Sequence, residues 1–491
     1  MTSENKRPRR TWAQTFAVYR DRRMAKILLL GFMSGLPWLF IGSMAALWLK
    51  EEGVSRTGIG LFGLVFAVYA VNALWAPAVE GVRIPWLANV LGRRRAWIIT
   101  MQGVMLCALV AVSFIPGFQQ WDLVVEQHGD ITAALPQVGI NLWFFALVLF
   151  IIATASATQD IAIDACRIEL INTDEPQKII AGSAMTTSGW WLGFGGGKAL
   201  ALPLVVFFQN TGVIRAWQAG YLAMAVVVII SAVMLVLFVR EGDNNDAADD
   251  NDNVRGDNKS VREQSAPVFN PLALLRRVVF LWWLPLRDFV WRYGGRAALM
   301  LLFFIFFFKI GEAFLGRMSL VFYKEIGFSK LQIAWSGGLG TVTVCIFAVL
   351  GSFINTRYGL FRGIVLAGIA MAGTNLLFAV LYYYPEQWLF FVTVVVDQFT
   401  TTISTVAFVA FISQLCDRRH TASQYAAFAS LGNLSRTTLA ASSGALVDGL
   451  GGNWAVFFVI TVMMVMPSLL ILAAARKTLR PIMTGATTKV I

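Results

Sequence analysis

The sequence predicts an all-α integral membrane protein with twelve transmembrane helices in two six-helix halves. Of its 491 residues, 57% are hydrophobic and only 14% are charged. The apolar residues are gathered into long uncharged blocks and do not alternate with polar ones. Crossing a bilayer core of about 30 Å takes roughly 20 helical residues, whereas a barrel strand needs only about 9 to 11. The block lengths therefore favour helices.

The blocks form two groups of six, separated by a polar segment. The predicted spans are 27–49, 58–79, 96–115, 140–159, 179–208 and 217–239, then 297–323, 331–356, 363–385, 387–416, 421–447 and 453–475. The predicted regions are a basic segment 1–26, a first half 27–240, a linker region 241–293, a second half 294–476 and a tail 477–491. Many transporters have this layout, with sites between their repeats near mid-membrane.

Basic residues in short loops predict the orientation, because they resist translocation. Clusters precede the first block, follow the second at Arg93, Arg94 and Arg95, and recur in the tail, whereas loop 116–139 contains acids but no Lys or Arg. Both termini should therefore be cytoplasmic, although Arg317, Lys324 and Lys330 are discordant. The net charge of +12 then indicates membrane orientation and contact with anionic lipids, not nucleic-acid binding.

The linker region combines two kinds of sequence. Residues 241–267 are acidic, rich in Asn and almost free of bulky apolar residues, so they predict a flexible linker. Residues 274–292 mix Trp, Leu and Arg around Pro285, which suits a helix in the cytoplasmic interface. The alternative is a short linker helix that packs on the loops.

Several classes of site are not predicted. The four Cys residues include no C-x-x-C pair, and the two His residues lie in loops on opposite sides, so no metal site or disulfide framework is expected. The first apolar run is too long for a signal peptide and should remain as the first span. The sequence has neither a His-based dyad nor a phosphate-binding Gly-Lys loop, so a membrane-embedded enzyme is not predicted. No cofactor is expected, and the chain should act as a monomer.

Ionisable residues near the centres of four spans suggest a wet cavity, because such residues are costly in a membrane and usually functional. Lys309 and Glu312 lie three apart in "FFIFFFKIGEAFLGR" and share a helix face. Lys198, Asp397 and Arg436 occupy three further spans. The alternative is that these groups pair only to hold helices together. The cavity should handle charged solute, protons or both.

Asp160 and Asp164 lie four apart at the end of the fourth apolar block and share a helix face. At about 1.5 Å per residue, Asp160 should lie roughly 30 Å along its helix, at the inner end. One interpretation is an inner-gate ion pair with Arg93, Arg94 or Arg95. The other is a protonatable site reached when the cavity opens inward.

Small and aromatic residues mark the fifth span. Gly189, Gly193 and Gly197 repeat every four residues, which permits close helix approach. Trp190 and Trp191 could stack on a sugar ring or pack against neighbouring side chains.

Local motifs resemble a known family. "LWAPAVEGVRIPWLANVLGRRRAW" (74–97) resembles the loop between the second and third spans of major facilitator transporters, with Glu80, Gly92 and the three arginines after it as gate residues. "LLLGFMSGLP" (28–37), "SATQDIAIDA" (156–165), "FKIGEAF" (308–314) and "TVAFVAFISQLCDRRHTASQYAAFASL" (405–431) together resemble the AmpG muropeptide permeases. The family commonly has Asp where Glu80 and Glu312 stand. Related acetyl-CoA transporters share some of these elements.

The resemblance implies a proton-driven permease of the bacterial inner membrane that imports anhydro-muropeptides for cell-wall recycling. Gln159 and Asp160 match the family's Gln-Asp element and become cavity candidates. Candidates for proton coupling are Asp160, Asp164, Glu312 and Asp397. Candidates for substrate binding are Gln159, Lys198, Lys309, Arg436, Trp190 and Trp191. If Lys309 pairs with Glu312, Asp397 becomes the better coupling candidate. The alternative substrate is another anionic solute, such as acetyl-CoA or a peptide.

Overall fold

The computed structural model describes residues 17–52, 54, 62–115, 140–172, 175–239, 283, 285–328, 332, 340–417, 420–434 and 439–474. Within these ranges the regular structure is helical. Ten helices are long and apolar enough to cross a membrane. Two shorter helices, one in the eighth predicted span and one in the eleventh, complete the twelve. The predicted fold class is confirmed.

The twelve membrane helices fall into the two predicted groups. The first half contains α1 (Arg22–Glu51), α2 (Gly63–Gly81), α3 (Arg93–Val112), α4 (Asn141–Glu169), α5 (Pro176–Asn210) and α6 (Ala216–Phe238). The second half contains α7 (Gly295–Glu325), α8 (Gly340–Tyr358), α9 (Leu360–Tyr383), α10 (Gln387–Leu415), α11 (Thr421–Leu434) and α12 (Trp454–Ala474). Short helices also occur at Leu87–Leu91, before α3, and at Ser443–Gly449, after α11.

One end of the bundle, here called the basic end, carries the start of α1, the α2–α3 loop and the α4–α5 loop. Asp21 caps α1 by accepting a 2.9 Å hydrogen bond from the backbone N–H of Arg23. The Arg23 side chain bonds Glu175 at 2.8 Å, and Lys178 lies 3.0 Å from Asp21. Partial burial of the Asp21 carboxyl opposes its ionisation, but the bonds from Arg23 and Lys178 outweigh this and lower its pKa.

Four of the described membrane helices are irregular near their middles, and α2 is one of them, with a 3-10 segment at Asn72–Trp75. Pro37 lies inside α1 and is followed by a π-helical segment at Leu39–Met44, and α5 has a similar segment at Leu192–Gly196. Helix α7 breaks before Lys309, between Gly295–Phe307 and Ile310–Glu325. Pro removes an intrahelical hydrogen bond, and π-bulges are frequent at functional sites.

Glycines bring α1 and α5 together beside these irregular segments. A Cβ atom on Gly35 would lie 2.0 Å from the backbone oxygen of Trp190, and one on Gly193 would lie 2.2 Å from that of Phe32. Gly189 is equally close to Leu28. The close approach predicted from the glycine repeat is confirmed, because only glycine leaves room for the facing backbone.

The hydrophobic clusters show where the two halves meet. At the end opposite the basic end, one cluster of buried residues belongs wholly to the first half and another wholly to the second. Toward the basic end the clusters are shared. Ala422 and Ala426 of α11 join a cluster of the first half, and Ala184 of α5 packs with Ala348 and Val406. Among the described residues, the halves therefore pack together toward the basic end.

The described part of the linker region packs on the second half. Residues 285–293 are helical. The ring of Phe289 lies 5.0 Å from that of Phe428 in α11, and the Gln424 side-chain amide donates to the Pro285 carbonyl at 3.0 Å. This packing favours the linker-helix alternative for these residues. The predicted flexible linker and residues 274–282 lie outside the described residues.

Candidate functional site

The second half holds a charged cluster at the break in α7. Lys309 is 2% exposed and pairs with Glu312 on the same helix. Its ammonium group also donates to the Thr405 hydroxyl of α10 at 3.0 Å. Asp397 of α10 lies close enough for its charge to interact with those of Lys309 and Glu312. Two carboxyl groups therefore share one cation, and Asp397 has no ion pair among the described residues.

The first half holds a similar set on α4. Arg167 is 2% exposed, and its Nη2 lies 2.9 Å from Oδ1 of Asp164. Asp160 lies one turn before Asp164 on α4, with Ser34 of α1 beside its carboxyl group. Its Oδ1 is buried without a hydrogen-bond partner among the described residues. Again two acids accompany one cation.

One expectation about these acids was wrong, and one of the two interpretations left open for them does not hold for Asp164. Asp160 does not lie at the end of its helix, because α4 continues to Glu169 and α11 packs against it. The ion-pair partner of Asp164 is Arg167 and not one of the loop arginines. Arg167 was missed because it follows the apolar block, although its i, i+3 spacing from Asp164 was a readable signal.

Arg167 also joins the two halves. Its Nη1 donates to the Ser413 hydroxyl of α10 at 3.1 Å. Its guanidinium lies 4.9 Å from the ring centroid of Tyr425 in α11, within cation–π range. Arg167 is thus held by both halves at once. Its contacts with Ser413 and Tyr425 must break if the halves separate at this point.

Glu80 makes a second link at the basic end. Its carboxylate accepts hydrogen bonds from the backbone N–H groups of Ala422 and Ser423, each at 3.2 Å, and from the Ser423 hydroxyl. These donors lie at the start of α11, where backbone N–H groups and the helix dipole favour an anion. Glu80 is 7% exposed, so water competes little for these bonds.

The predicted gate residues lie around Glu80. Arg94 approaches the Glu80 carboxylate at 3.6 Å and pairs with Glu169 at 2.7 Å. Arg93 donates to the backbone carbonyl of Glu80 at 2.9 Å. Gly92 has a φ of 89°, which favours glycine and lets α3 begin directly after it. Arg95 is buried. The structure therefore brings Arg93 to Glu80, and Arg94 to both Glu80 and Glu169.

Two further contacts between the halves lie deeper in the bundle. The Ser430 hydroxyl of α11 donates to the Asn72 side chain of α2 at 2.9 Å. Ser188 of α5 and Cys345 of α8 approach reciprocally, with the hydroxyl 3.5 Å from the Cys345 carbonyl and the thiol 3.6 Å from the Ser188 carbonyl. Together with Glu80 and Arg167, these contacts close the basic end.

Aromatic side chains gather beside α4 in the first half. The Trp38 ring lies 4.8 Å from Tyr69 and 5.5 Å from Trp190, and Trp190 lies 5.4 Å from Trp191. Both α5 tryptophans therefore pack against neighbours, as one interpretation predicted, but they remain partly exposed. Gln159 is fully buried and donates to the Met33 carbonyl at 3.0 Å.

The other cations predicted to bind substrate lie apart from these clusters. Lys198 is exposed on α5 and has no ion pair among the described residues. Arg436 lies outside the described residues. Of the three predicted cations, the structure places Lys309 in a buried cluster.

Two six-helix halves that meet at one end, with buried ionisable clusters in each half, define a multi-pass membrane transporter. A profile of the Major Facilitator Superfamily matches residues 27–436. The chain belongs to this superfamily, whose members are carriers and not enzymes.

Relatives of known name match over nearly the whole chain. The putative transporter AmpG 4 of Rickettsia conorii is 27% identical over 457 residues, covering 93% of this chain and 97% of that protein. The anhydromuropeptide permease of Escherichia coli K12 is 26% identical over 479 residues, covering 95% and 82%. They confirm the resemblance to AmpG-type permeases, and with it a multi-pass protein of the bacterial inner membrane.

Solved structures confirm the fold. The proton:xylose symporter XylE, solved with 6-bromo-6-deoxy-D-glucose, has a TM-score of 0.56 and 15% identity, covering 94% of this chain and 96% of that one. The transporter FucP in its outward conformation has a TM-score of 0.56 and 13% identity, covering 92% and 98%.

Proposed function

We propose that this chain is a proton-coupled permease that carries GlcNAc-anhydroMurNAc peptides from the periplasm to the cytoplasm by alternating access. The proposal rests chiefly on the two buried clusters, one in each half, in which a cation pairs with one acid and a second acid lies nearby without an ion pair among the described residues. The name of the Escherichia coli relative supports the substrate. Buried ionisable groups in a membrane are costly and mark pathways for solutes or protons.

The contacts between the halves supply the moving part of the proposal. In this proposal the basic end faces the cytoplasm, because basic residues in short loops resist translocation. The described conformation, closed at that end, is then the one that admits substrate from the periplasm. Inward release requires Glu80 to leave the start of α11 and Arg167 to leave Ser413 and Tyr425. Rocking of one half against the other would break these contacts together.

The second-half cluster supplies an anion-binding group and a proton carrier. Lys309 is the cation for a peptide carboxylate of the substrate. Because Lys309 pairs with Glu312, proton exchange on Glu312 would disrupt an ion pair. Asp397 has no such pair among the described residues, so it can gain or lose a proton while Lys309 moves between the two acids. We therefore assign proton coupling to Asp397, with Asp160, Asp164 and Glu312 as the rival candidates.

The test is uptake of labelled GlcNAc-anhydroMurNAc tripeptide into proteoliposomes, with and without an inward proton gradient. Wild type should accumulate substrate only with the gradient. Asp397→Asn should lose accumulation but retain exchange of internal for external substrate. Glu386→Gln, which alters an exposed acid outside the clusters, is the matched control. Absence of uptake by folded wild type would contradict the muropeptide assignment and favour a carrier of acetyl-CoA or another anionic solute.

A further inference from the structure

We infer that the first half contains a carbohydrate subsite, formed by the aromatic group around Trp38 and by the polar side chains of α4 that face it. This inference rests on the proposed function, because it assigns a place to the sugar part of that substrate. The peptide part would extend toward Lys309 in the second half.

Five buried polar atoms without partners define the subsite. Among the described residues, no hydrogen-bond partner contacts Trp38 Nε1, Tyr69 Oη, Ser156 Oγ, Gln159 Oε1 or Asp160 Oδ1. Gln159 and Ser156 are fully buried, and Tyr69 is 7% exposed. Buried polar groups are normally satisfied, so five unsatisfied atoms in one place call for an explanation. A polar ligand that bonds them in the transport cycle provides one.

These five atoms belong to neighbouring side chains. Trp38 contacts Tyr69 with ring centroids 4.8 Å apart, and Tyr69 lies beside Ser156 and near the Asp160 carboxyl. Ser156 and Asp160 are one helical turn apart on α4, with Gln159 between them. The bond from Gln159 to Met33 fixes α4 against α1 and holds the group together.

The position of the group suits a ligand entering between the halves. Tyr69 lies one turn before Asn72 on α2, and Asn72 is held by Ser430 of the second half. Trp190 lies two residues beyond Ser188 on α5, which touches Cys345. The group therefore lies next to the contacts that join the halves, on the side away from the basic end.

The chemistry of the group fits a sugar better than an ionic ligand. It offers an indole N–H, two hydroxyls, an amide oxygen and one carboxyl, and none of these is a cation. Trp38, Trp190 and Trp191 are partly exposed and supply apolar ring surface. Apolar walls with a few placed polar groups are typical of small-molecule sites. Hydroxyl and acetamido groups of an N-acetylated disaccharide can both donate to and accept from this set.

The test is binding of the peptide-free disaccharide GlcNAc-anhydroMurNAc to purified protein, measured by calorimetry. Tyr69→Phe removes one unpartnered donor and retains the ring, and Trp38→Phe removes one unpartnered donor and keeps a smaller aromatic ring. Each should weaken disaccharide affinity about fivefold to tenfold, as expected for one lost hydrogen bond. The ligand-free melting temperature of Tyr69→Phe should fall little, because its hydroxyl faces only the Ser156 hydroxyl and makes no well-formed hydrogen bond among the described residues.

The control is Tyr221→Phe, the same atomic change in the same half. The Tyr221 hydroxyl donates to the Phe40 carbonyl at 3.0 Å, so this variant should lose stability and keep disaccharide affinity. Unchanged disaccharide affinity in both subsite variants would overturn the inference, as would wild type that transports muropeptide but does not bind the disaccharide. Disaccharide binding that the two variants weaken would support the subsite even if muropeptide uptake failed.

Discussion

The two halves carry the same kind of charged cluster but connect it differently. In each half a cation pairs with an acid three residues away on one helix, Arg167 with Asp164 and Lys309 with Glu312. Arg167 then reaches across to Ser413 and Tyr425 of the other half. Lys309 instead bonds Thr405 within its own half. The first cluster is thus attached to the closed end of the molecule.

The difference suggests a division of roles. Because Arg167 is held by both halves, its ion pair is linked to whether the basic end is open. The bonds of Lys309 to Glu312 and Thr405 lie within one half, so separation of the halves does not by itself break them. The unpartnered polar groups around Trp38 in the first half would then bind the sugar part of the substrate.

The largest effect should follow removal of the second-half cation. Lys309→Met leaves Glu312 and Asp397 without it, and breaking a buried pair costs about 3–5 kcal/mol. Thermal unfolding should occur at a markedly lower temperature, and gradient-driven uptake should be lost. Lys324→Met, at an exposed position, is the matched control and should have little effect. Adding Glu312→Gln to Lys309→Met should restore part of the stability; a double variant no more stable than Lys309→Met would argue against the pair.

A smaller effect should distinguish Arg167, which contacts the other half, from Lys309, which contacts only its own half. Ser413→Ala removes a hydrogen bond to Arg167, and a bond to a charged group contributes about 1.5–3 kcal/mol. The basic end should open more often. The measurement is disulfide formation between Ser188→Cys and the native Cys345, with the other cysteines replaced.

Thr405→Ala is the matched change in the second half, because it removes the hydroxyl that accepts from Lys309. Disulfide yield should fall for Ser413→Ala and stay at the wild-type level for Thr405→Ala. Equal yields in the two variants would remove the distinction between the clusters.

Helix packing in the first half should give a similar or smaller effect. Gly35→Ala places a methyl group 2.0 Å from the Trp190 backbone oxygen, so α1 and α5 must separate. Overpacking of this kind typically costs about 1–3 kcal/mol. Chemical unfolding should detect the loss, and disaccharide affinity should fall because Trp38 and Trp190 move apart. Gly103→Ala, with nothing within 4 Å of the added methyl, is the control. Equal stability of the two variants would contradict the close packing.

The smallest effect concerns acids outside the membrane. Bonds from Arg23 and Lys178 outweigh the opposing effect of burial and lower the pKa of both Asp21 and Glu175. A lowered folded-state pKa gives stability above the unfolded value of about 4, which is lost as pH falls further. Asp21→Asn should flatten the acid limb of the stability profile by less than about 1 kcal/mol, because these groups are partly exposed. An unchanged acid limb in Asp21→Asn would show that this network does not contribute to the stability of the folded protein.

The sequence predicted most of the fold because span length and charge-free blocks are local properties. It also predicted the Lys309–Glu312 pair from residue spacing. The depth of Asp160 was not predictable, since α4 continues past its apolar block into a region buried by α11. The partners of Glu80 were missed because they are mainly backbone N–H groups, which leave no mark in a sequence. Trp38 and Tyr69 were missed because aromatic residues are common in any packed membrane helix.

The most direct test of the proposed division compares two isosteric variants, Asp397→Asn and Asp160→Asn, for gradient-driven accumulation and for exchange of labelled substrate at equal pH. Asp397→Asn should lose accumulation and keep exchange. Asp160→Asn should require more substrate for half-maximal uptake and still accumulate substrate when it is saturated. The reverse pattern, with accumulation lost only in Asp160→Asn, would place proton coupling in the first half and contradict the account.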